Sequence, residues 1–138
     1  MKKKLNCILL IDDDEAINFV HKRVINKYDC TDKIVVVENG KQALDYLKSS
    51  IDGKSPSPEI IFLDINMPVM DGWEFLEEYQ KLKKDQQGKV VLLMLTSSLN
   101  PDDLDRANKI KEVDGFRNKP LTSEMLEVIL TKYFEDYL

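Results

Sequence analysis

The chain is poor in residues that staple or coordinate. Its 138 residues include two cysteines and one histidine. Neither Cys7 nor Cys30 has a CxxC partner, so a structural zinc site is not expected. Cys7 sits inside an apolar run and reads as a small buried residue. Thiols used this way suit a reducing compartment. His21 stands far in sequence from every strand tip and reads as a solvated helix residue. A single histidine also leaves no basis for a phosphohistidine relay within the chain. No apolar stretch approaches bilayer-spanning length, and the N-terminus lacks the apolar core and cleavage site of a signal peptide. A cytoplasmic protein without membrane association is expected. Basic residues are outnumbered, 20 Lys and Arg against 25 Asp and Glu, for a net charge of −5. That balance argues against nonspecific nucleic-acid binding, which needs cations to neutralise phosphates. The opening Lys2-Lys3-Lys4 reads as a solvated terminus.

What is present is a regular alternation. Apolar runs near 6–11, 33–37, 59–64, 89–95 and 113–117 read as strands. Val35-Val36-Val37 and Val90-Val91-Leu92-Leu93-Met94-Leu95 do not alternate with polar residues, as expected of strands covered on both faces. Between them lie helical patterns. The first, about 14–28, aligns Ile17, Val20, Val24 and Tyr28. The second, about 40–49, aligns Ala43, Leu44 and Leu47. The third opens at Asp71 with Glu74 three residues on, like a capping box, and buries Phe75, Leu76, Tyr79 and Leu82. The fourth opens with Asn100 as cap and Pro101 at the first turn. The fifth follows Thr122 and runs almost to Leu138, with Met125, Leu126, Ile129, Leu130 and Tyr133 facing inward. Ser49 to Pro58 reads as an exposed loop. Strictly alternating strands and helices imply a doubly wound α/β domain with a five-stranded parallel sheet and right-handed crossovers. With no repeat or linker, residues 1–138 read as one domain without an attached output domain.

In such a sheet, ligands bind beyond the carboxyl ends of the strands. Strand one ends in Asp12-Asp13-Asp14, strand three in Asp64, strand four in Thr96-Ser97, and strand five is followed by Lys119-Pro120. Strand two, ending near Glu38-Asn39, offers little and suits an edge. Asp12, Asp13 and Asp64 are hard oxygen donors suited to Mg²⁺. Without metal their repulsion would raise at least one carboxylate pKa. Thr96 supplies a hydroxyl and Lys119 an ammonium for phosphoryl oxygens. Phosphoryl transfer is largely such positioning and charge neutralisation. Asp64, alone at its strand tip, is the candidate nucleophile, because a carboxylate can form an aspartyl-phosphate. The competing reading of Asp12-Asp13-Asp14 is a helix-entry cluster. Asp71-Gly72 reads mainly as a turn and cap, and Trp73 as surface packing or a partner contact.

The motifs Ile11-Asp12-Asp13-Asp14, Leu63-Asp64-Ile65-Asn66-Met67-Pro68 with Asp71-Gly72, Leu95-Thr96-Ser97, and Phe116-Arg117-Asn118-Lys119-Pro120 resemble the receiver domains of two-component response regulators. They occur in the family's order along nearly the whole chain. The resemblance implies a flavodoxin-like (CheY-like) sheet of order 2-1-3-4-5. It implies Asp64 as acceptor of phosphate from a sensor histidine kinase or phosphotransfer protein. Asp13 would be a direct Mg²⁺ ligand, Asp12 would act largely through water, and Asn66 would lend its backbone carbonyl. Thr96 and Lys119 would hold the phosphoryl oxygens. Phe116 matches the switch aromatic, with plain core packing as the alternative. Ser97 matches a small residue that admits phosphate. Asn66 and Ser98 fall where side chains tune dephosphorylation, and Pro120 matches a commonly cis proline. Phosphate would alter the helix four–strand five–helix five surface, so that output is noncovalent binding to a downstream target, relay, or a homodimer through that surface. The module would catalyse only its own phosphorylation and dephosphorylation. A phosphohydrolase of the haloacid-dehalogenase type would instead carry a second Asp where this chain has Asn66. A receiver that binds without phosphate would not require the complete acid set.

Overall fold

A computed structural model describes residues 4–82 and 90–135. The chain alternates β1 (Ile8–Ile11), α1 (Glu15–Tyr28), β2 (Ile34–Val37), α2 (Gly40–Ile51), β3 (Ile60–Leu63), α3 (Gly72–Tyr79), β4 (Val91–Thr96), α4 (Pro101–Asn108), β5 (Gly115–Asn118) and α5 (Ser123–Tyr133). The strands form one parallel sheet of order β2-β1-β3-β4-β5. β2 is an edge, as expected.

Every residue of β1, β3 and β4 is buried. Their missing alternation follows from packing on both faces. Leu9, Ile11, Ile61, Leu63, Leu92 and Met94 meet Ala43 and Leu47 of α2, Phe75 and Leu76 of α3 and Ala107 of α4. Ile8, Leu10, Ile60, Phe62, Leu93 and Leu95 meet Ile25 of α1 and Leu126, Ile129 and Leu130 of α5. Burying each Leu, Ile, Met or Phe side chain of this set stabilises the fold by about 1.5–3 kcal/mol.

Helix starts follow local chemistry. Asp14, Asn39, Asn100 and Thr122 each accept a backbone N–H of the first turn. Asp71 and Glu74 complete the capping box. Each cap is worth about 1 kcal/mol. α2 runs two residues past the expected end, to Ile51. Where strand four was expected to begin at 89, β4 begins at Val91, and Lys89 lies outside the described residues. α5 ends at Tyr133, not near Leu138, because Phe134 leaves the helical region at φ −133°, ψ 46°. Residues 136–138 lie outside the described region.

Three side-chain expectations are corrected. The inner face of α1 is Asn18, His21 and Ile25, whereas Val20 is exposed. The helix is turned so that Asn18 Nδ2 and His21 Nε2 meet backbone partners, while the buried Asn18 Oδ1 has none. His21 is therefore buried rather than solvated. Trp73 packs in the core beneath the Arg106 guanidinium of α4, 4.4 Å from its ring, and is not a surface residue. Of the basic terminus, Lys4 is exposed and pairs with Asp29 at 2.6 Å, while Lys2 and Lys3 lie outside the described residues. No helix among the described residues is long and apolar enough to cross a membrane.

Candidate functional site

Strand register builds the site. Ile11 is paired with Leu63, so the next residues, Asp12 and Asp64, emerge side by side. Leu63 is paired with Met94, which sets Thr96 at the tip of the neighbouring strand. Thr96 is paired with Asn118, and Lys119 follows immediately, its N–H donating to the Thr96 carbonyl at 2.7 Å. The Lys119–Pro120 bond is cis, as the resemblance implied.

Asp12, Asp13 and Asp64 each offer a carboxylate oxygen within 4.8 Å of the others. The Lys119 Nζ lies 2.5 Å from Asp12 Oδ2 and 3.1 Å from Asp64 Oδ1. All three of these side chains are at most 10% exposed, whereas Asp13 faces solvent. Three carboxylates and one ammonium leave the cluster at a formal charge of −2. Oxygen ligands around Mg²⁺ lie about 3–4 Å apart at its octahedral bond lengths of about 2.1 Å. Charge, donor type and spacing therefore fit a small divalent ion after a slight contraction.

Burial pushes the Asp64 carboxyl above the ordinary aspartate range, and Asp12 pushes it the same way, while Lys119 opposes both. The expected repulsion is thus present, but desolvation leads. For Lys119, burial disfavours the charge, yet the bonds it donates to Asp12 and Asp64, with their negative charge, prevail and hold its pKa above the usual lysine value.

The loop after Asp64 folds back on it. Met70 N–H donates to the Pro68 carbonyl at 2.7 Å around Val69, whose φ is +68°. Gly72 N–H reaches the Ile65 carbonyl at 2.8 Å. A Cβ on Gly72 would lie 2.4 Å from the Asp64 carbonyl oxygen, so only glycine permits this approach. Gly72 is more than the expected turn residue, because it lets α3 seat directly on the Asp64 backbone. Asn66 lies in this loop with its side chain exposed.

Thr96 does not reach Asp64 directly. Its hydroxyl accepts the Ser98 N–H and donates to the Ser98 carbonyl, both at 3.2 Å. Ser97 and Ser98 are exposed, and Phe116 is buried against the α2–α4 side of the sheet. The site residues read from the sequence thus share one sheet edge, with Phe116 on the face beneath it.

Two neighbours escaped sequence reasoning. The Asn18 side-chain amide donates to the Asp12 carbonyl at 2.9 Å. His21 Nε2 accepts the Leu121 N–H at 3.1 Å. Burial shifts His21 below its ordinary pKa, which favours the neutral acceptor. The spacing of Asn18, His21 and Ile25 at i, i+3 and i+7 was the available signal.

A family model of the response regulator receiver domain matches residues 8–131. The chain is 30% identical over 131 residues to a probable methanogenesis regulatory protein, FilR2, of Methanothrix harundinacea, covering 95% of this chain and 83% of that one. A two-component response regulator from Cytophaga hutchinsonii superposes with a TM-score of 0.86 at 32% identity, covering 96% of this chain and 99% of that one. The Mn²⁺-bound form of response regulator Rcp1, a Synechocystis protein, superposes with a TM-score of 0.70 at 26% identity, covering 91% and 90%. Sheet order, strand-tip acids and the family match together make this a receiver-type module of two-component systems. The chain belongs to the response regulator receiver family.

Proposed function

We propose that this receiver accepts a phosphoryl group on Asp64 from the phosphohistidine of a sensor histidine kinase or phosphotransfer protein in the cytoplasm. An Asp64 carboxylate oxygen bonds to phosphorus as the P–N bond breaks and the imidazole leaves. The observation that carries this reading is the convergence of Asp12, Asp13 and Asp64, with the Lys119 ammonium paired to Asp12 and Asp64. Lys119 sits where it offsets negative charge on the transferred group. Asp12, Asp13, Asp64 and the Asn66 backbone carbonyl would hold Mg²⁺, which when bound neutralises phosphoryl charge. The related Rcp1, crystallised with Mn²⁺, supports a divalent ion here.

Thr96 supplies the switch. Its hydroxyl exchanges the Ser98 backbone for a phosphoryl oxygen, and Phe116 repacks into the space vacated. The surface of α4, β5 and α5 changes with them and signals by noncovalent binding, relay or homodimer formation. Such a switch is a local electrostatic event acting on a two-state element. Near-complete conversion requires phosphate to favour the active state by about 5 kcal/mol. Asn66 and Ser98 tune the lifetime from their exposed positions. The chemistry is confined to the protein's own phosphorylation and dephosphorylation. Asn66 stands where a haloacid-dehalogenase-type phosphohydrolase would need an acid.

The test is intact-mass measurement after incubation with phosphoramidate and Mg²⁺. One added phosphoryl group is expected, with none on Asp64→Asn or in the presence of a chelator. Rapid multiple turnover of an external phosphoester, or labelling that survives Asp64→Asn, would overturn the reading.

A further inference from the structure

A helix covering a sheet ordinarily turns an apolar stripe inward. α1 instead buries Asn18 and His21, at 7% and 2% exposure. A leucine at position 21 would bury apolar surface with no polar group to satisfy. A buried imidazole is costly unless its nitrogens are used. Here Nε2 is used: it accepts the Leu121 N–H at 3.1 Å, across 100 residues of chain. Leu121 is itself 1% exposed, so water does not readily replace the imidazole. With Nε2 accepting, the ring is neutral and its proton is on Nδ1.

Leu121 lies two residues beyond Lys119, across Pro120. Lys119 is held at its own amide by the Thr96 carbonyl, at 2.7 Å. The segment that carries the ammonium is therefore anchored on both sides, by β4 before it and by His21 after it. One helical turn earlier, Asn18 anchors the Asp12 carbonyl at 2.9 Å. The inner face of α1 thus grips both backbones whose side chains meet in the Lys119–Asp12 ion pair.

We propose that His21 is a positioning residue for phosphoryl transfer: its Nε2 fixes the Lys119–Leu121 segment so that the ammonium is held against Asp64. The proposal rests on Asp64 and Lys119 acting as described above. Among the described residues His21 makes no hydrogen bond or ion pair with Asp64, and its bond is to the Leu121 N–H.

The test compares His21→Leu, His21→Gln and His21→Asn with the unaltered protein and Lys119→Met. The readout is the rate constant for phosphorylation by phosphoramidate at saturating Mg²⁺, with melting temperature recorded alongside. Small displacements of a charge-bearing group cost about tenfold or more in rate, so His21→Leu is expected to fall about tenfold. Glutamine places its Oε1 near the position of Nε2 and is expected to restore most of the rate. Asparagine is too short and is expected to remain slow. In the Lys119→Met background, His21→Leu is expected to add no further loss, as befits a residue acting through Lys119. The Leu121 amide proton should move upfield in the leucine and asparagine variants and not in the glutamine one.

A folded His21→Leu protein that phosphorylates at the unaltered rate, while Lys119→Met is slow, overturns the proposal and leaves the site intact. Should His21→Leu fail to fold, equal rates for His21→Gln and His21→Asn overturn it instead. If Lys119→Met is as fast as the unaltered protein, both this proposal and the assigned role of Lys119 fall.

Discussion

Replacing Lys119 with methionine isolates the electrostatics of the site. The ammonium lies 2.5 Å from Asp12 and 3.1 Å from Asp64, and neither carboxylate side chain is more than 10% exposed. Methionine keeps the stem volume and removes the charge. The cluster then passes from a formal charge of −2 to −3, with two buried carboxylates facing one another. Removing one partner of a buried pair costs about 3–5 kcal/mol. The lower end applies here, because Asp13 opens the cluster to water and Asp64, already raised in pKa, can take up a proton. In a chain of this size about 3 kcal/mol lowers the melting temperature by roughly 10 °C. A divalent ion should reverse much of that loss. A unit charge a few ångströms away is worth a few kcal/mol at an effective dielectric of about 20. Even after screening, the variant should bind Mg²⁺ at least about tenfold more tightly, adding about 1.4 kcal/mol of metal-linked stability. The assay is thermal and urea unfolding of both proteins in chelator and across a Mg²⁺ titration. Lys119→Met should melt well below the unaltered protein in chelator, and the gap should narrow as Mg²⁺ rises. Equal melting in chelator, or equal gains from Mg²⁺, would refute the electrostatic reasoning.

Other perturbations probe neighbouring contacts. Gly72→Ala places a methyl 2.4 Å from the Asp64 carbonyl oxygen and 3.0 Å from Ile65 Cα, so backbone must yield. A loss of about 2 kcal/mol by urea unfolding is expected, with slower phosphorylation. Burial holds Asp64 above its ordinary value of 3.8. Between that value and the raised folded pKa the native state holds the extra proton, so this residue's contribution to stability falls as pH rises. In chelator at pH 7, Asp64→Asn should therefore melt above the unaltered protein, with the gap closing in acid. His21 has the opposite sign. Burial lowers its folded pKa below 6.5, so its contribution is present above that pH and is lost as pH falls. His21→Gln should flatten the stability profile below pH 6.5 by up to about 1.4 kcal/mol per pH unit.

The frame of the molecule was legible because strands buried on both faces leave unbroken apolar runs, as in Ile60–Leu63 and Val91–Leu95. The strand tips were legible because acids, a hydroxyl and a lysine after such runs have few structural reasons to be there. The order of strands came from resemblance, since alternation alone permits other orders. Most element ends moved by one to three residues and the end of α5 by more, because each end depends on which carbonyl finds a partner. The face of α1 was misread because counting apolar residues chose Val20, whereas hydrogen bonds across the fold chose Asn18 and His21. Nothing near His21 in sequence reveals a partner 100 residues away. Trp73 was misread for a similar reason, since its cover is Arg106 on another helix. The bonds of Thr96 to Ser98 are side-chain conformation, to which sequence pattern is blind.

The central claim is that phosphate and a divalent ion meet at one carboxylate, Asp64. A crystal structure grown with Mg²⁺ and beryllium fluoride tests it most directly. Beryllium should be bonded to an Asp64 oxygen, with the metal on Asp13, Asp64 and the Asn66 carbonyl, Asp12 nearby through water, and Lys119 on a fluoride. The Thr96 hydroxyl should have left Ser98 for another fluoride. Density for beryllium fluoride elsewhere, or a metal bound away from these acids, would contradict the claim.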